Sequence, residues 1–235
     1  MSEGPRLVVF DLDDTLYLER DFVRSGYQAC DNWLLQTTGV AGLAQCCQSM
    51  FEAGQRIQIF DHALLALMPN SKQNLVADLV SIYRNHRPTI CLQADARRFL
   101  SAALPTCRMA LITDGPLQTQ MNKVEALALT PFFERTIFTD FWGSSYWKPH
   151  PRAFIAIQQW AQVEPSRLVY VADNPTKDFV APRRLGWLTI RVKRPERIHY
   201  TPAPTAEHEA HLSVDSLDQL TACLTDPDPR CPFGR

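Results

Sequence analysis

From residue 88 onward the chain alternates short apolar runs with longer stretches of helical periodicity, and this alternation restricts the fold more than any other feature. The runs at 107–113, 136–139, 168–172 and 187–192 have the length and composition of buried strands, whereas 94–104, 117–129, 151–162 and 177–185 read as helices. One more strand-like run, Leu7-Val8-Val9-Phe10, comes well before them. Strands alternating with helices imply right-handed βαβ units. The expected fold class is therefore α/β, a Rossmann-like parallel sheet core with helices on both faces. Because such sheets are covered on both sides, their strands are continuously apolar.

The stretch between the first two strands has a different character. Phe22, Tyr27, Cys30, Trp33 and Leu34 form an apolar stripe at helical spacing over 21–36, and Leu75, Leu79, Ile82 and Tyr83 form another over 74–84. Gly39, Gly42 and Gly54 break the first half, and no segment alternates as a strand would. Residues 17–87 thus read as a small all-helical cap domain inserted into a core made of 1–16 and 88–225. Beyond the last strand, 198–210 reads as loop and 214–224 as a closing helix. The Asp226-Pro227-Asp228-Pro229 stretch marks 226–235 as a disordered tail.

Composition narrows the functional classes. With 235 residues, 46% hydrophobic and 21% charged, the chain has ordinary globular proportions. A formal net charge of -1 supplies no general field for nucleic acid or an anionic membrane, so neither is expected as a partner. No apolar run approaches the roughly 20 residues that span a bilayer. No basic-then-apolar leader precedes the first strand. The seven cysteines show neither CxxC pairs nor zinc spacing, and an odd count without a framework fits a reducing compartment. The expected location is cytoplasmic.

The chemistry gathers at the ends of the strands, where open α/β sheets bind ligands. The first strand runs into Asp11-Leu12-Asp13-Asp14-Thr15. In an extended chain the side chains of Asp11 and Asp13 share a face, and two such carboxylates call for a cation or a shared proton. The second strand ends in Thr113-Asp114-Gly115-Pro116, a hydroxyl and a tight turn leading into a helix whose free N–H groups suit an anion. Lys148 stands between restricting prolines in Trp147-Lys148-Pro149-His150-Pro151. The 168–172 strand leads into Asp173-Asn174-Pro175-Thr176-Lys177-Asp178, which places hard oxygen ligands at a strand end.

Taken together, in this order, the four strand ends resemble the haloacid dehalogenase superfamily. Asp11-Leu12-Asp13-Asp14-Thr15 matches its first motif, DxDx[TV]; Thr113 matches the second, Lys148 the third, and Asp173 with Asp178 the fourth in its D-x4-D form. Two positions depart from the common pattern. Asp114 stands where many relatives carry Asn, which adds negative charge beside a phosphate and calls for protonation, a nearby metal or an outward orientation. Ala172 stands where Gly is common.

The resemblance implies a phosphatase in which Asp11 attacks phosphorus and forms an aspartyl-phosphate, while Asp13 acts as acid and then base. It implies Mg²⁺ held by the Asp11 and Asp173 carboxylates and the Asp13 backbone carbonyl. It also implies phosphate held by Thr113, Asp114 and Gly115, charge neutralised by Lys148, and Asp178 orienting Lys148 or a metal-bound water. An Asp at position 13 separates phosphate-ester chemistry from the halide-displacing members and from the ion pumps. The expected substrate is a small phosphorylated metabolite, a sugar phosphate or similar. A phosphosugar mutase and a non-catalytic binding protein on the same fold are the alternatives; monomer or homodimer stays open.

The remaining features have plainer readings. Arg20, Arg24, Tyr27, His62, Arg84, His86 and Arg87 are possible selectors in the cap, each better explained as a solvated or capping residue. Arg183, Arg184, Arg191, Lys193, Arg194 and Arg197 read as a solvated basic face. Phe132-Phe133 and Phe141-Trp142 read as core or core edge, Asp14 as a spacer, and His150 as a surface residue or an indirect supporter of the site.

Overall fold

In a computed structural model of the protein, residues 7–69, 74–103 and 107–225 are described. The strands are β1 (Leu7–Phe10), β2 (Arg108–Thr113), β3 (Arg135–Phe138), β4 (Leu168–Ala172), β5 (Leu188–Val192) and β6 (Leu212–Val214). They form one sheet in the order β3-β2-β1-β4-β5-β6, every neighbouring pair parallel. The expected α/β class is borne out. β1 lies between β2 and β4, so successive strands are added first on one side of it and then on the other. Its carboxyl end is the topological switch point, where a doubly wound sheet opens a crevice.

The chain divides into two compact units, one running to Glu19 and resuming at Cys91, the other Arg20–Ile90. The expected cap boundaries were 17 and 87. Residues 13–17 instead close a tight loop of the first unit, in which Asp13 bridges to Tyr17.

In the first unit the alternation of side chains along each strand covers both faces of the sheet. Leu7, Val9, Ala110, Ile112 and Tyr170 belong to one buried cluster with Phe154, Ile157 and Trp187. The ring of Phe10 turns the other way and meets Phe99 at 5.7 Å and Phe133 at 6.1 Å. Each large apolar side chain buried in this way contributes roughly 1.5–3 kcal/mol.

The second unit is helical: α1 (Glu19–Thr38, whose first residue lies in the other unit), α2 (Leu43–Glu52), α3 (Ile59–Leu67) and α4 (Val76–Asn85). Its centre is aromatic. Tyr27 meets Phe60 at 6.0 Å and Tyr83 at 5.8 Å, and Phe22 meets Tyr83 at 5.4 Å. Gly26 is required beneath Tyr83, because a Cβ there would come within 2.5 Å of the ring. The His86 ring bonds Ser25 and the Tyr83 carbonyl. Tyr27 and His86 are thus engaged in packing.

The remaining helices are α5 (Ala94–Ala103), α6 (Leu117–Ala126), α7 (Arg152–Ala161), α8 (Val180–Arg184) and α9 (Leu220–Thr225). Four expectations need correction. The helix expected over 177–185 starts later, because Asn174 closes a turn by accepting the N–H groups of Lys177 and Asp178. A helix expected from 214 is preceded by β6, a three-residue strand too short to show a period, which pairs with β5. Phe141 is 75% exposed rather than packed. Arg191 and Arg194 are buried rather than solvated. The tail at 226–235 lies outside the described residues.

Candidate active site

Sheet register explains why distant residues converge. Phe10 is level with Leu111 on one side and Val171 on the other, so Asp11, Thr113 and Asp173 leave the sheet at nearly the same height. The Asp11 N–H donates to the Val171 carbonyl at 2.9 Å, which anchors the strand end.

Asp11 is buried and accepts from the Lys148 ammonium at 2.5 Å. The same ammonium lies 2.8 Å from Asp178 and donates to the Tyr170 hydroxyl at 3.0 Å. Asp178 also accepts from the Tyr170 hydroxyl and from the Asn174 N–H at 3.0 Å. Burial opposes the charge of Lys148, but Asp11 and Asp178 hold it protonated, well above the usual lysine value. Burial also pushes Asp11 up to about 7, against the pull of Lys148.

Asp173 completes the cluster. Asp11, Asp173 and Asp178 each present an oxygen, all within 4.8 Å of one another. Asp173 Oδ2 is buried and has no hydrogen-bond partner among the described residues. Burial, with Asp178 and Asp11 nearby, drives its carboxyl well above the usual range. An unsatisfied buried carboxylate oxygen is costly, and hard divalent cations take such oxygens as ligands. The donor set fits a hard cation. Asp178 is already committed to Lys148, Tyr170 and Asn174, which leaves Asp11 and Asp173 as the better ligands.

Asp13 looks elsewhere. Its Oδ1 accepts from the Lys123 ammonium at 2.6 Å and from the Tyr17 hydroxyl, and its Oδ2 accepts from the Gln120 amide at 3.0 Å. Burial works against its charge, yet Lys123, Tyr17 and Gln120 together carry the carboxyl below the usual carboxylate range. Gln120 also donates to the Thr113 hydroxyl, whose own hydrogen is left to serve an anion. Gly115 makes this possible: its φ is +125°, and a Cβ would press on the Gln120 side chain at 3.3 Å.

Asp114 is neither protonated nor turned outward. It points inward, accepting from the Thr139 hydroxyl at 2.7 Å and the Lys148 N–H at 3.2 Å, with the Lys177 ammonium 3.3 Å away. Burial opposes its ionisation, but Lys148 and Lys177 hold it below the usual range. A second lysine balances the extra carboxylate. The helix end expected to receive an anion is partly used, since the Leu117 N–H donates to Asp140 at 2.9 Å. His150 accepts from the Arg152 N–H at the start of α7.

Several supporting residues carried no signal in the sequence. Arg191 donates to the Asp173 carbonyl at 3.0 Å, and Arg194 donates to the Thr15 carbonyl while pairing with buried Asp95. These two arginines brace the acidic loops after β4 and β1. Asp14, far from being a spacer, is buried at φ 52° and accepts from the Glu19 and Ile198 N–H groups. Tyr17, Gln120, Lys123 and Lys177 looked like ordinary helix or loop polar residues.

Known proteins match this arrangement. Glyceraldehyde 3-phosphate phosphatase of Methanocaldococcus jannaschii is 22% identical over 91% of this chain and 94% of its own. Mouse (Mus musculus) N-acylneuraminate-9-phosphatase is 27% identical over 58% of this chain and 53% of its own. Among solved structures, the HAD-hydrolase YfnB of Bacillus subtilis superposes with a TM-score of 0.67 at 18% identity, covering 95% of this chain and 100% of that one. The model of haloacid dehalogenase-like hydrolases matches residues 5–186. With that match spanning most of the sheet together with Asp11, Thr113, Lys148 and Asp173, the chain belongs to the haloacid dehalogenase-like hydrolases.

Proposed function

We propose that the protein is a Mg²⁺-dependent phosphatase acting on a small phosphorylated metabolite, a sugar phosphate or a similar ester, with Asp11 as nucleophile. The observation that carries this reading is the pairing of Asp11 with buried Lys148 beside an unsatisfied Asp173 oxygen at the switch point. The relatives named as phosphatases of glyceraldehyde 3-phosphate and of an N-acylneuraminate support the substrate class. Free thiols at Cys30, Cys46, Cys47, Cys91 and Cys107 suit a cytoplasmic location. Among the described residues no helix is long and apolar enough to cross a membrane.

In the first half-reaction a carboxylate oxygen of Asp11 bonds to phosphorus in line with the departing oxygen. The bond from phosphorus to that oxygen breaks, and Asp13 delivers to it the proton that the substrate's own negative charge leads it to take up against the pull of Lys123. In the second, water bonds to phosphorus, gives a proton to Asp13, and the bond to Asp11 breaks, releasing phosphate. Thr113 donates to a phosphate oxygen, and Lys148 neutralises charge on Asp11 and on the group in transfer. Asp178 holds Lys148 in place. When bound to Asp11, Asp173 and the Asp13 carbonyl, Mg²⁺ supplies the charge that lets an anionic nucleophile approach an anionic ester.

Purified protein is expected to release phosphate from p-nitrophenyl phosphate and from triose and hexose phosphates with Mg²⁺, and to lose this with chelator. Asp11→Asn should lower kcat by a factor on the order of 10³ or more, since a nucleophile has no substitute. Undiminished turnover in that variant would overturn the assignment. An isomerised sugar phosphate without net phosphate release would point to a mutase instead.

A further inference from the structure

We propose that Lys123, acting with Gln120, is a positioning residue for the Asp13 carboxylate, holding it at a fixed offset from the phosphate seat at Thr113. The inference rests on the acid/base reading of Asp13. The two residues lie three apart on α6, so both side chains leave the same helix face toward Asp13. Lys123 is buried and its ammonium is 2.6 Å from Asp13 Oδ1. Gln120 spends its two amide hydrogens on two different groups, Asp13 Oδ2 at 3.0 Å and the Thr113 hydroxyl. One amide therefore ties the carboxylate to the hydroxyl expected to hold phosphate. Tyr17 adds a third donor from the loop itself.

Stability alone is a weak reason for keeping this pair. A buried ion pair costs about as much desolvation as it returns in attraction, and two apolar side chains of similar volume in place of Lys123 and Asp13 would pack at least as well. What the pair supplies is direction. With its oxygens taken by donors on two sides, the carboxylate cannot rotate freely about χ2, and proton transfer depends steeply on such alignment.

The leaving group separates positioning from mere scaffolding. A proton from Asp13 matters greatly when an alkoxide departs and little when p-nitrophenolate does, because the latter leaves unprotonated. The experiment compares first-turnover release of the leaving group, by rapid quench, from a triose phosphate and from p-nitrophenyl phosphate. Lys123→Met is expected to slow alkyl release about 10²-fold, aryl release less than about tenfold, with little change in KM. Lys123→Arg should recover part of the loss. Adding Lys123→Met to Asp13→Asn should cost nothing further. If Lys123→Met does not fold, as judged by thermal melting, Gln120→Leu is read for the same leaving-group split.

Equal losses on both substrates would reduce Lys123 to a structural role and overturn the proposal. So would wild-type alkyl release in Lys123→Met when Asp13→Asn shows a selective loss. If Asp13→Asn itself shows no preference between the substrates, the acid/base reading falls and the proposal falls with it.

Discussion

Asp11 and Asp13 are the same residue two positions apart, yet their surroundings handle a buried carboxylate in opposite ways. Around Asp11 negative charge is in excess: Asp11 and Asp178 share Lys148, Asp173 lies within 4.8 Å of both, and one Asp173 oxygen is left without a donor. Around Asp13 the chain supplies its own balance, with Lys123, Tyr17 and Gln120 all donating. The directions of their pKa shifts follow, upward for Asp11 and downward for Asp13. A region left incomplete by the chain is one built to receive something, and a region completed by the chain is one built to stay put. The first suits a nucleophile and its cation, the second an acid/base group that must hold its direction.

The largest effect should come from removing Lys148. In Lys148→Met, Asp11 and Asp178 would face each other without a cation, and such breaks of buried pairs cost about 3–5 kcal/mol. Turnover should fall about 10²–10³-fold as well, the range seen when a stabilising donor is lost from a site. Lys123→Met should destabilise far less, because Tyr17 and Gln120 still serve Asp13. Denaturant midpoints of the two variants check the order. Adding Asp11→Asn to Lys148→Met should restore part of the stability, a coupling expected only for groups in direct contact. Equal midpoints for the two lysine variants would break the comparison.

How much of this was legible in the sequence depended on where each residue falls. Asp11, Thr113 and Asp173 end apolar strands, and Lys148 is set off by prolines, so local pattern alone brings them forward. The parallel sheet was legible for the same reason, being made of buried runs separated by helices. Gln120 and Lys123 were not, because their meaning depends on the phase of α6 about its axis, which a row of polar helix residues does not reveal. Arg191 and Arg194 were hidden inside a basic run whose exposed members set its appearance. β6 has three residues, fewer than a period needs. Asp114 was legible as an anomaly but its solution was not, because Lys177 lies 63 positions away.

A middle-sized effect is expected on metal binding. The excess charge around Asp11 predicts that Asp173→Asn stabilises the metal-free protein, since it removes a carboxylate that burial already strains toward protonation. Mg²⁺ should raise the melting temperature of the wild type, by about 2.7 kcal/mol of stability at a hundredfold excess over Kd. Asp173→Asn should lose that increment, whereas Asp13→Asn should retain it. The measurement is thermal melting with and without Mg²⁺ or chelator, and needs no substrate. An unchanged Mg²⁺ increment in Asp173→Asn would remove the reason for treating the two carboxylate regions as different in kind.

The smallest effect concerns Asp14, the third acid of the run and a case between the other two. It has donors, the N–H groups of Glu19 and Ile198, but burial dominates and raises its pKa to about 6. In the unfolded chain it would titrate near 3.8. Well below pH 3.8 both states hold the proton, and its contribution is fully present. Between pH 4 and 6 the unfolded chain gives up the proton while the folded protein keeps it, so stability drains away as pH rises through this window. Asp14→Asn cannot titrate, and Asn accepts a left-handed backbone almost as readily. It can accept only one of the two N–H bonds, a loss of about 1 kcal/mol. The variant should therefore be the less stable protein below pH 4, and its deficit against the wild type should shrink and then reverse as pH rises to 6.5. Melting temperatures of the two proteins across that range provide the check. A constant deficit would mean that the backbone donors, and not burial, govern Asp14, which would move it beside Asp13 as a carboxylate satisfied by the chain.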